Sequence, residues 1–322
     1  MDPLDLLRLN LLSPPVLAFA LGVVAVLVRS DLRLPEELYT VLAAYLLLAI
    51  GLKGGVELAA TPLAQLWLPA LATLLLGLTI PIAAYAVLHR LLRFPVADAA
   101  AIAAHYGSVS VVTFTAAVTF VGAVGAPSEG FMPTLVAILE APAILVSVFI
   151  ARSRLGGGGS MGTLFHDLFA GRGIFLLLGG LVMGALTGRE GLKEVSPFFV
   201  EPFKGALTLF LLELGMVAAG RMRSVGAAGP RILAFGVLAP LVQGALGAVV
   251  GTLAGLSLGG TTVMAVMAAS ASYIAAPAAV RIAIPQANPG LYLGAALGVT
   301  FPFNLSVGIP VYYAISRLLH GV

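Results

Sequence analysis

Two polar interruptions in otherwise apolar segments carry the residue types of this chain that are best suited to binding chemistry. The first contains Gly107, Ser108, Ser110 and Thr113, and the second contains Ser270, Ala271, Ser272 and Tyr273. Glycine and the nearby Pro277 favour breaks in helices, and each break frees backbone N–H groups that lipid cannot bind. A helix N-terminus carries about half a positive charge, which suits a small anion. A single serine would be explained by helix packing, but two matched interruptions favour a binding site.

Glu140 and Asn304 are a second pair of polar residues in apolar surroundings. Each lies close to a proline, Pro142 and Pro302 respectively. A charged group at bilayer depth costs at least about 2.5 kcal/mol, so it usually faces a cavity or a partner. Either Glu140 makes a structural hydrogen bond, or it carries a proton or binds a coupling cation. For a cation such as sodium, the candidate ligands are Glu140, Asn304 and Ser272.

The composition requires lipid to surround most of the elements that position these residues. Hydrophobic residues make up 60% of the 322 residues and charged residues 10%, and the mean hydropathy is +1.08. A soluble domain of this size could not bury so much apolar surface. The small net charge of +3 argues against nucleic-acid binding, and the absence of cysteine excludes disulfides and thiolate metal sites. Because Asp2 and Asp5 occupy the N-terminal region, we expect a first membrane span there rather than a cleaved signal.

Apolar runs predict an all-α membrane protein with ten transmembrane helices, of which the fourth and ninth are discontinuous. The predicted spans are 15–29, 36–56, 66–89, 97–122, 131–151, 173–188, 203–220, 232–256, 260–281 and 292–318. Five helices form each half, residues 1–151 and 173–322. A cytoplasmic Gly-rich linker at 152–172 joins them, and its segment Gly156–Ser160 is either natural or engineered.

An odd number of helices per half requires the two halves to insert with opposite orientations, as an inverted repeat. Leu48–Leu52 aligns with Leu212–Met216 at a shift of 164 residues (212 − 48), and Ser108 aligns with Ser272 at the same shift. Eleven Lys and Arg residues lie on the side of the linker and six on the other. The positive-inside rule therefore places both termini outside.

The remaining charged and histidine residues show no pattern of catalysis. We expect Lys53 to form a structural ion pair, with Glu57 or Glu213 as its partner, or to extend toward the interface. His105 is expected to be a hydrogen-bonded packing residue. The four histidines lack metal-ligand spacing, and no Gly-x-Ser-x-Gly or phosphate-loop pattern is present. The sequence therefore predicts no enzyme, no organic cofactor and no metal beyond sodium.

Several segments resemble the sodium-dependent bicarbonate transporters of cyanobacteria and other bacteria. The segments are Ser13–Phe19, Ile50–Gly55, Gly107–Ser110, Glu140–Ala143, Ala268–Pro277 and Arg281–Pro289, of which the last, with Ile-Pro-x-Ala-Asn-Pro, is the most specific. This chain has Tyr273 where the family commonly has aspartate, which removes a natural sodium ligand, and Ala278 where the family has a second proline.

The resemblance implies a sodium-coupled bicarbonate carrier in a bacterial cytoplasmic membrane, with gate and core parts. It further implies a homotrimer and regulation by a cytoplasmic PII-like protein. The anion site would involve Gly107, Ser108, Ser110, Ser270 and Ser272. The residues themselves leave open a sodium- or proton-coupled organic-anion carrier, and an anion-binding channel or sensor.

Overall fold

The computed structural model describes residues 3–155 and 161–322 and, over those residues, consists of helices without strands. Helices suit an apolar chain because each backbone N–H and C=O group bonds within its own segment. The first eight are α1 (Pro3–Leu11), α2 (Pro14–Leu27), α3 (Glu36–Ala60), α4 (Leu63–Ala86), α5 (Val96–Gly107), α6 (Val111–Ala123), α7 (Met132–Leu155) and α8 (Met161–Phe169). Gly156–Ser160, the expected tether, lies outside the described residues.

Eight further helices make up the second half of the chain. They are α9 (Arg172–Phe199), α10 (Phe203–Ala228), α11 (Pro230–Leu253), α12 (Leu258–Ala269), α13 (Ala275–Ala283), α14 (Pro289–Leu293), α15 (Phe301–Phe303) and α16 (Ile309–Leu319). Short π-helical stretches extend α4 over Val87–Leu91 and connect α14, α15 and α16 over Gly294–Thr300 and Asn304–Gly308. The last three helices thereby form one span, Pro289–Leu319.

The described residues contain 8 helices long and apolar enough to cross a membrane, or 9 if the bent pair α1 and α2 forms one span. This confirms the prediction of an all-helical protein with many membrane spans. Each of the ten predicted segments overlaps a helix or a broken helix pair. The short α12, with 12 residues, is about 18 Å long and cannot cross a bilayer core of about 30 Å by itself. The number ten therefore remains a prediction.

One helix is longer than the sequence predicted. We expected a span to end at residue 188, but α9 continues to Phe199. Gly188 lies inside it with a φ of 64°, so the backbone is kinked there rather than ended. Only glycine adopts this conformation without a steric cost, and a glycine at this position is also typical of a helix end. The sequence pattern therefore predicted an end where the structure has a kink.

Two helix pairs approach closely through glycines, α3 against α9 and α2 against α10. A Cβ atom built on Gly180 would lie 2.9 Å from the Cα atom of Gly51 and 2.9 Å from the carbonyl oxygen of Leu48. A Cβ atom on Gly22 would likewise lie 3.1 Å from the Cα atom of Gly215 and would overlap the carbonyl oxygen of Leu212. Close backbone contact is how membrane helices gain packing energy where lipid offers no hydrophobic drive.

Gly180→Leu is expected to lower the thermal stability of the protein, because the new side chain would meet backbone atoms of α3 that cannot move aside. Gly179→Leu is the matched control, since a Cβ atom at Gly179 has no other atom within 4 Å. The measurement is the midpoint of thermal unfolding in detergent. Equal shifts for the two variants would contradict the close helix contact.

Candidate functional site

The first broken span separates α5 from α6 at Ser108–Ser110. Ser110 has an extended backbone and caps α6: its Oγ accepts a hydrogen bond from the backbone N–H of Thr113 at 3.2 Å and another from the Thr113 hydroxyl at 2.9 Å. Gly107 is required by close contact, because a Cβ atom there would lie 2.8 Å from Pro81 and 2.7 Å from Ala143. The break is thus fixed by packing on one side and by a cap on the other.

The second broken span separates α12 from α13 at residues 270–274. Ser270 has an extended backbone, and the Oγ of Ser272 accepts a hydrogen bond from the N–H of Ala276 at 3.3 Å. Both serines thus accept a bond from an N–H in the first turn of the helix that follows. The shift between the halves is 162 at the starts of α5 and α12 (258 − 96) and 164 at the starts of α6 and α13 (275 − 111). Ser272 therefore aligns with Ser110 by the first pair of helices and with Ser108, as the sequence alignment had it, by the second.

The two breaks meet and bond each other. The backbone N–H of Ser272 donates to the carbonyl of His105 at 2.8 Å. The backbone N–H of Ser110 donates to the Oγ of Ser270 at 2.9 Å. Each break therefore supplies a partner that the other lost when its helix was interrupted, which satisfies groups that would be costly in a lipid-surrounded interior.

Neighbouring helices support the same crossing. From the break itself, Ser108 donates its hydroxyl to the carbonyl of Glu140 on α7 at 3.1 Å. On the opposite side, Asn304 donates its amide to the carbonyl of Ala269 at 2.8 Å and accepts from the hydroxyl of Tyr312 at 2.9 Å. The bond from Asn304 reaches the last carbonyl of α12, a helix-end group, whereas the bond from Ser108 ties the first break to the middle of α7.

A small cavity lies at the crossing, and we call it the central cavity. Its volume is about 10 Å³, roughly the space of one water molecule. It is lined by Leu47, Val109, Ser110, Val111, Glu140, Gly173, Ser272, Tyr273 and Ile274. A small polyatomic anion needs more room, so the structure shows the crossing in a closed conformation.

The central cavity contains two buried polar atoms without a hydrogen-bond partner among the described residues, Oε2 of Glu140 and the hydroxyl of Tyr273. Both side chains are buried. Glu140 is the only charged residue in the described lining, so no neighbouring cation in that lining compensates its carboxylate. Unpartnered buried polar groups are costly and are usually retained for a function such as ligand binding.

The predicted site residues fall into two groups. Ser110, Ser272, Tyr273 and Glu140 line the central cavity. The others surround it without lining it: Gly107, Ser108, Thr113, Ser270, Ala271 and Asn304 are all buried in the two breaks or beside them. Asn304 is engaged at the end of α12, so the structure does not bring it together with Glu140 in this cavity.

Five residues that line the central cavity were missed in the sequence: Leu47, Val109, Val111, Gly173 and Ile274. Apolar residues and glycine carry no chemical signal, and only the fold places them here. His105 matches its expected packing role, because its Nδ1 lies 2.7 Å from the carbonyl of Ala101 and its ring lies 4.7 Å from that of Tyr292.

Two larger cavities are lined in part by α3, as the central cavity is. The Arg172 cavity, of about 470 Å³, includes Arg172, Tyr39, Thr40 and Ala43. The Lys53 cavity, of about 640 Å³, is lined by residues of α3, α6, α7 and α10 and of the adjoining loops.

One face of α3 lines all three cavities in order. Thr40, Ala43 and Leu47 border the Arg172 cavity, Leu47 borders the central cavity, and Ile50 and Lys53 border the Lys53 cavity. This spacing of three or four residues is one stripe of a helix. The three cavities are therefore arranged along one wall.

Two comparisons with known proteins bear on this arrangement. The family model described as the Na⁺-dependent bicarbonate transporter superfamily matches residues 14–317. No curated protein matches the chain. The matched region includes both broken spans and every residue that lines the central cavity.

Ser270→Ala is expected to lower stability by about 1–3 kcal/mol, because it leaves the N–H of Ser110 buried without a partner. Ser147→Ala is the matched control: Ser147 is as completely buried, but its hydroxyl has no hydrogen-bond partner in the part of the chain that the structure describes. Thermal unfolding in detergent compares the two. A loss for Ser147→Ala as large as for Ser270→Ala would contradict the bond between the breaks.

Proposed function

Because the chain belongs to the Na⁺-dependent bicarbonate transporter superfamily, we propose that it is a secondary active transporter that couples uptake of bicarbonate to sodium by alternating access. The family is one of transporters, so the protein is not an enzyme, as the sequence predicted. The observation that carries the proposal is the meeting of two broken helices at a cavity with unpartnered polar atoms.

The crossing has the chemistry that bicarbonate requires. The second helix of each broken span, α6 or α13, begins there. Ser110 and Ser272 place hydroxyl groups near these helix starts. Amide N–H groups and hydroxyls can donate to the oxygens of a small anion, and the helix N-termini add a favourable field. The hydroxyl of Tyr273 is a further donor with no partner of its own among the described residues.

The cavities support a transport route rather than a closed binding pocket. The central cavity shares Leu47, Gly173, Tyr273 and Ile274 with the Arg172 cavity and no residue with the Lys53 cavity. The positive-inside rule places Arg172 at the cytoplasm. We therefore assign this conformation to the inward side of the cycle, and the outward side requires the crossing to open toward Lys53.

The inverted repeat is part of the proposal and is supported by matching contacts. Gly180 packs on Leu48, Gly51 and Leu52, and Gly22 packs on residues 212, 215 and 216, which lie 164 positions later. The helices α1 and α8 both have 9 residues, and α5 and α12 both have 12. Two halves with equal elements and exchanged partners are what alternating access by repeat motion requires.

Sodium fits the chemistry of the site. Sodium prefers oxygen ligands, and Oε2 of Glu140 is a buried carboxylate oxygen without a hydrogen-bond partner among the described residues. Ser272 lines the same cavity. We propose that Glu140 and Ser272 hold the cation, whereas Asn304, the third residue expected from the sequence, fixes the end of α12. The positive charge would offset repulsion between Glu140 and the anion.

Location and assembly complete the proposal. We assign the protein to a bacterial cytoplasmic membrane with both termini outside, from the charges of its loops. Assembly as a homotrimer and regulation by a PII-like protein rest on the family resemblance. Exposed apolar side chains such as Leu21, Leu186 and Val242 suit contact with lipid or another subunit.

The test is uptake of labelled bicarbonate into proteoliposomes, at an alkaline pH that keeps dissolved CO₂ low. We expect concentrative uptake driven by an inward sodium gradient and lost in Glu140→Gln. Uptake that follows a proton gradient alone would favour proton coupling, and competition by organic carboxylates would favour an organic-anion carrier. Uptake that never exceeds equilibrium would indicate a channel, and binding without uptake a sensor.

Tyr273→Phe is expected to raise the KM for bicarbonate by about two- to tenfold, the equivalent of one hydrogen bond worth about 0.5–1.5 kcal/mol. Stability should fall little, because the hydroxyl meets only the Ser110 side chain and makes no well-formed hydrogen bond among the described residues. Tyr85→Phe removes an equally buried, unpartnered hydroxyl that lines none of the three cavities, so its KM should match the wild type. The same KM in both variants would remove Tyr273 from the site.

A further inference from the structure

Two lysines face the Lys53 cavity. Lys53 lies on α3, and Lys204 lies in the first turn of α10. Both side chains are exposed to the cavity, and their charges are close enough to repel each other. Two ammonium groups in the lining of one cavity raise the positive potential in their immediate neighbourhood, which attracts anions there.

Among the described residues, Lys53 does not form an ion pair with Glu57 or Glu213, which was one of the two roles expected from the sequence. Its Nζ lies 5.4 Å from the ring centroid of Phe203, in a cation–π contact. Among the described residues, neither Lys53 nor Lys204 forms an ion pair. The aromatic ring holds the ammonium group in place and leaves its hydrogens available to a ligand.

Two acidic residues, Glu57 and Glu129, also line this cavity, so its described lining holds two positive and two negative side chains. Glu129 accepts a hydrogen bond from the backbone N–H of Ser257 at 2.6 Å, at the start of α12. Glu57 lies against Gly130: a Cβ atom built there would be 2.8 Å from Oε2 of Glu57. Glu57 is also one helical turn farther than Lys53 from Leu47, the α3 residue at the central cavity. The charged group of α3 nearest to the crossing on this side is therefore Lys53.

We propose that Lys53 and Lys204 form a capture site for a small oxyanion, which binds there before it moves along the α3 face to the central cavity. The residues Leu47, Ile50 and Lys53 follow one another on that face. Six residues of helix separate Lys53 from Leu47, which is about 9 Å. The capture site is thus distinct from the crossing but lies on the same wall. The inference rests on the proposed transport function and adds a second anion position on the route.

The absence of cysteine in the chain allows a direct test of the charge. In Lys53→Cys, the only thiol is at the capture site, and a methanethiosulfonate reagent attaches either an aminoethyl or a sulfonatoethyl group to it. We expect Lys53→Cys to raise the KM for bicarbonate uptake from the Lys53 side on the order of fivefold. The aminoethyl group should restore the KM, and the sulfonatoethyl group should raise it further.

Lys193→Cys is the matched control. Lys193 lies on α9 beyond the kink at Gly188, is exposed and lines none of the three cavities. Its KM should not depend on which reagent is attached. As a second measurement, the wild-type KM should rise with ionic strength because salt screens the lysines, and the Lys53→Gln plus Lys204→Gln variant should lose most of this dependence.

Restoration of the KM by the aminoethyl group also shows that Lys53→Cys is folded. If the wild type imports bicarbonate but the KM of Lys53→Cys does not depend on the sign of the attached charge, the capture site is wrong and the proposed function stands. If the wild type imports no bicarbonate under any gradient, the proposed function fails first. An equal response of Lys53→Cys and Lys193→Cys would show a general surface effect and would also overturn the capture site.

Discussion

The crossing of the two broken helices is the interaction on which the rest of the structure depends. A membrane helix can end in mid-span only if its freed backbone groups find partners inside the protein. Here the partners come from the other break, through the bonds of Ser272 to His105 and of Ser110 to Ser270. Because each break completes the other, neither half of the chain can form the site alone. The central cavity is a consequence of this mutual completion.

The helices around the crossing are joined to one another by two kinds of contact. The broken helices are bonded to their neighbours by side chains such as Asn304 and Ser108. The pairs α3 with α9 and α2 with α10 are instead joined by glycine contacts. In the proposed transport cycle, the wall formed by α3 and the bonded unit containing the crossing are the two parts that move past each other. Leu47 of α3 faces the point where such motion would open or close the site.

The charged residues Lys53 on α3 and Glu140 on α7 differ in how deeply they are buried. Lys53 faces a large cavity that water can reach, whereas Glu140 is buried at the crossing. An exposed ammonium group attracts an anion at little cost, and a buried carboxylate would repel it unless a cation were present. The two residues thus suit different steps, capture and coupled binding. Their separation gives a physical reason for an anion and a cation to bind together only at the crossing.

The sequence by itself determined that the helices lie in lipid, that the chain is helical and where both breaks occur. These properties follow from local composition, which consists of long apolar runs with Gly, Ser and Pro within them. It also identified four of the residues that line the central cavity, because polar groups are conspicuous in apolar segments. These four are Ser110, Ser272, Tyr273 and Glu140. It did not determine that Asn304 is bound to Ala269 and lies apart from Glu140, that the N–H of Ser110 is bound to Ser270, or that Lys53 lies on Phe203. Leu47 and Gly173 carried no signal at all. Those facts depend on which helices lie side by side, and contacts between residues far apart in the chain are decided only when the helices pack.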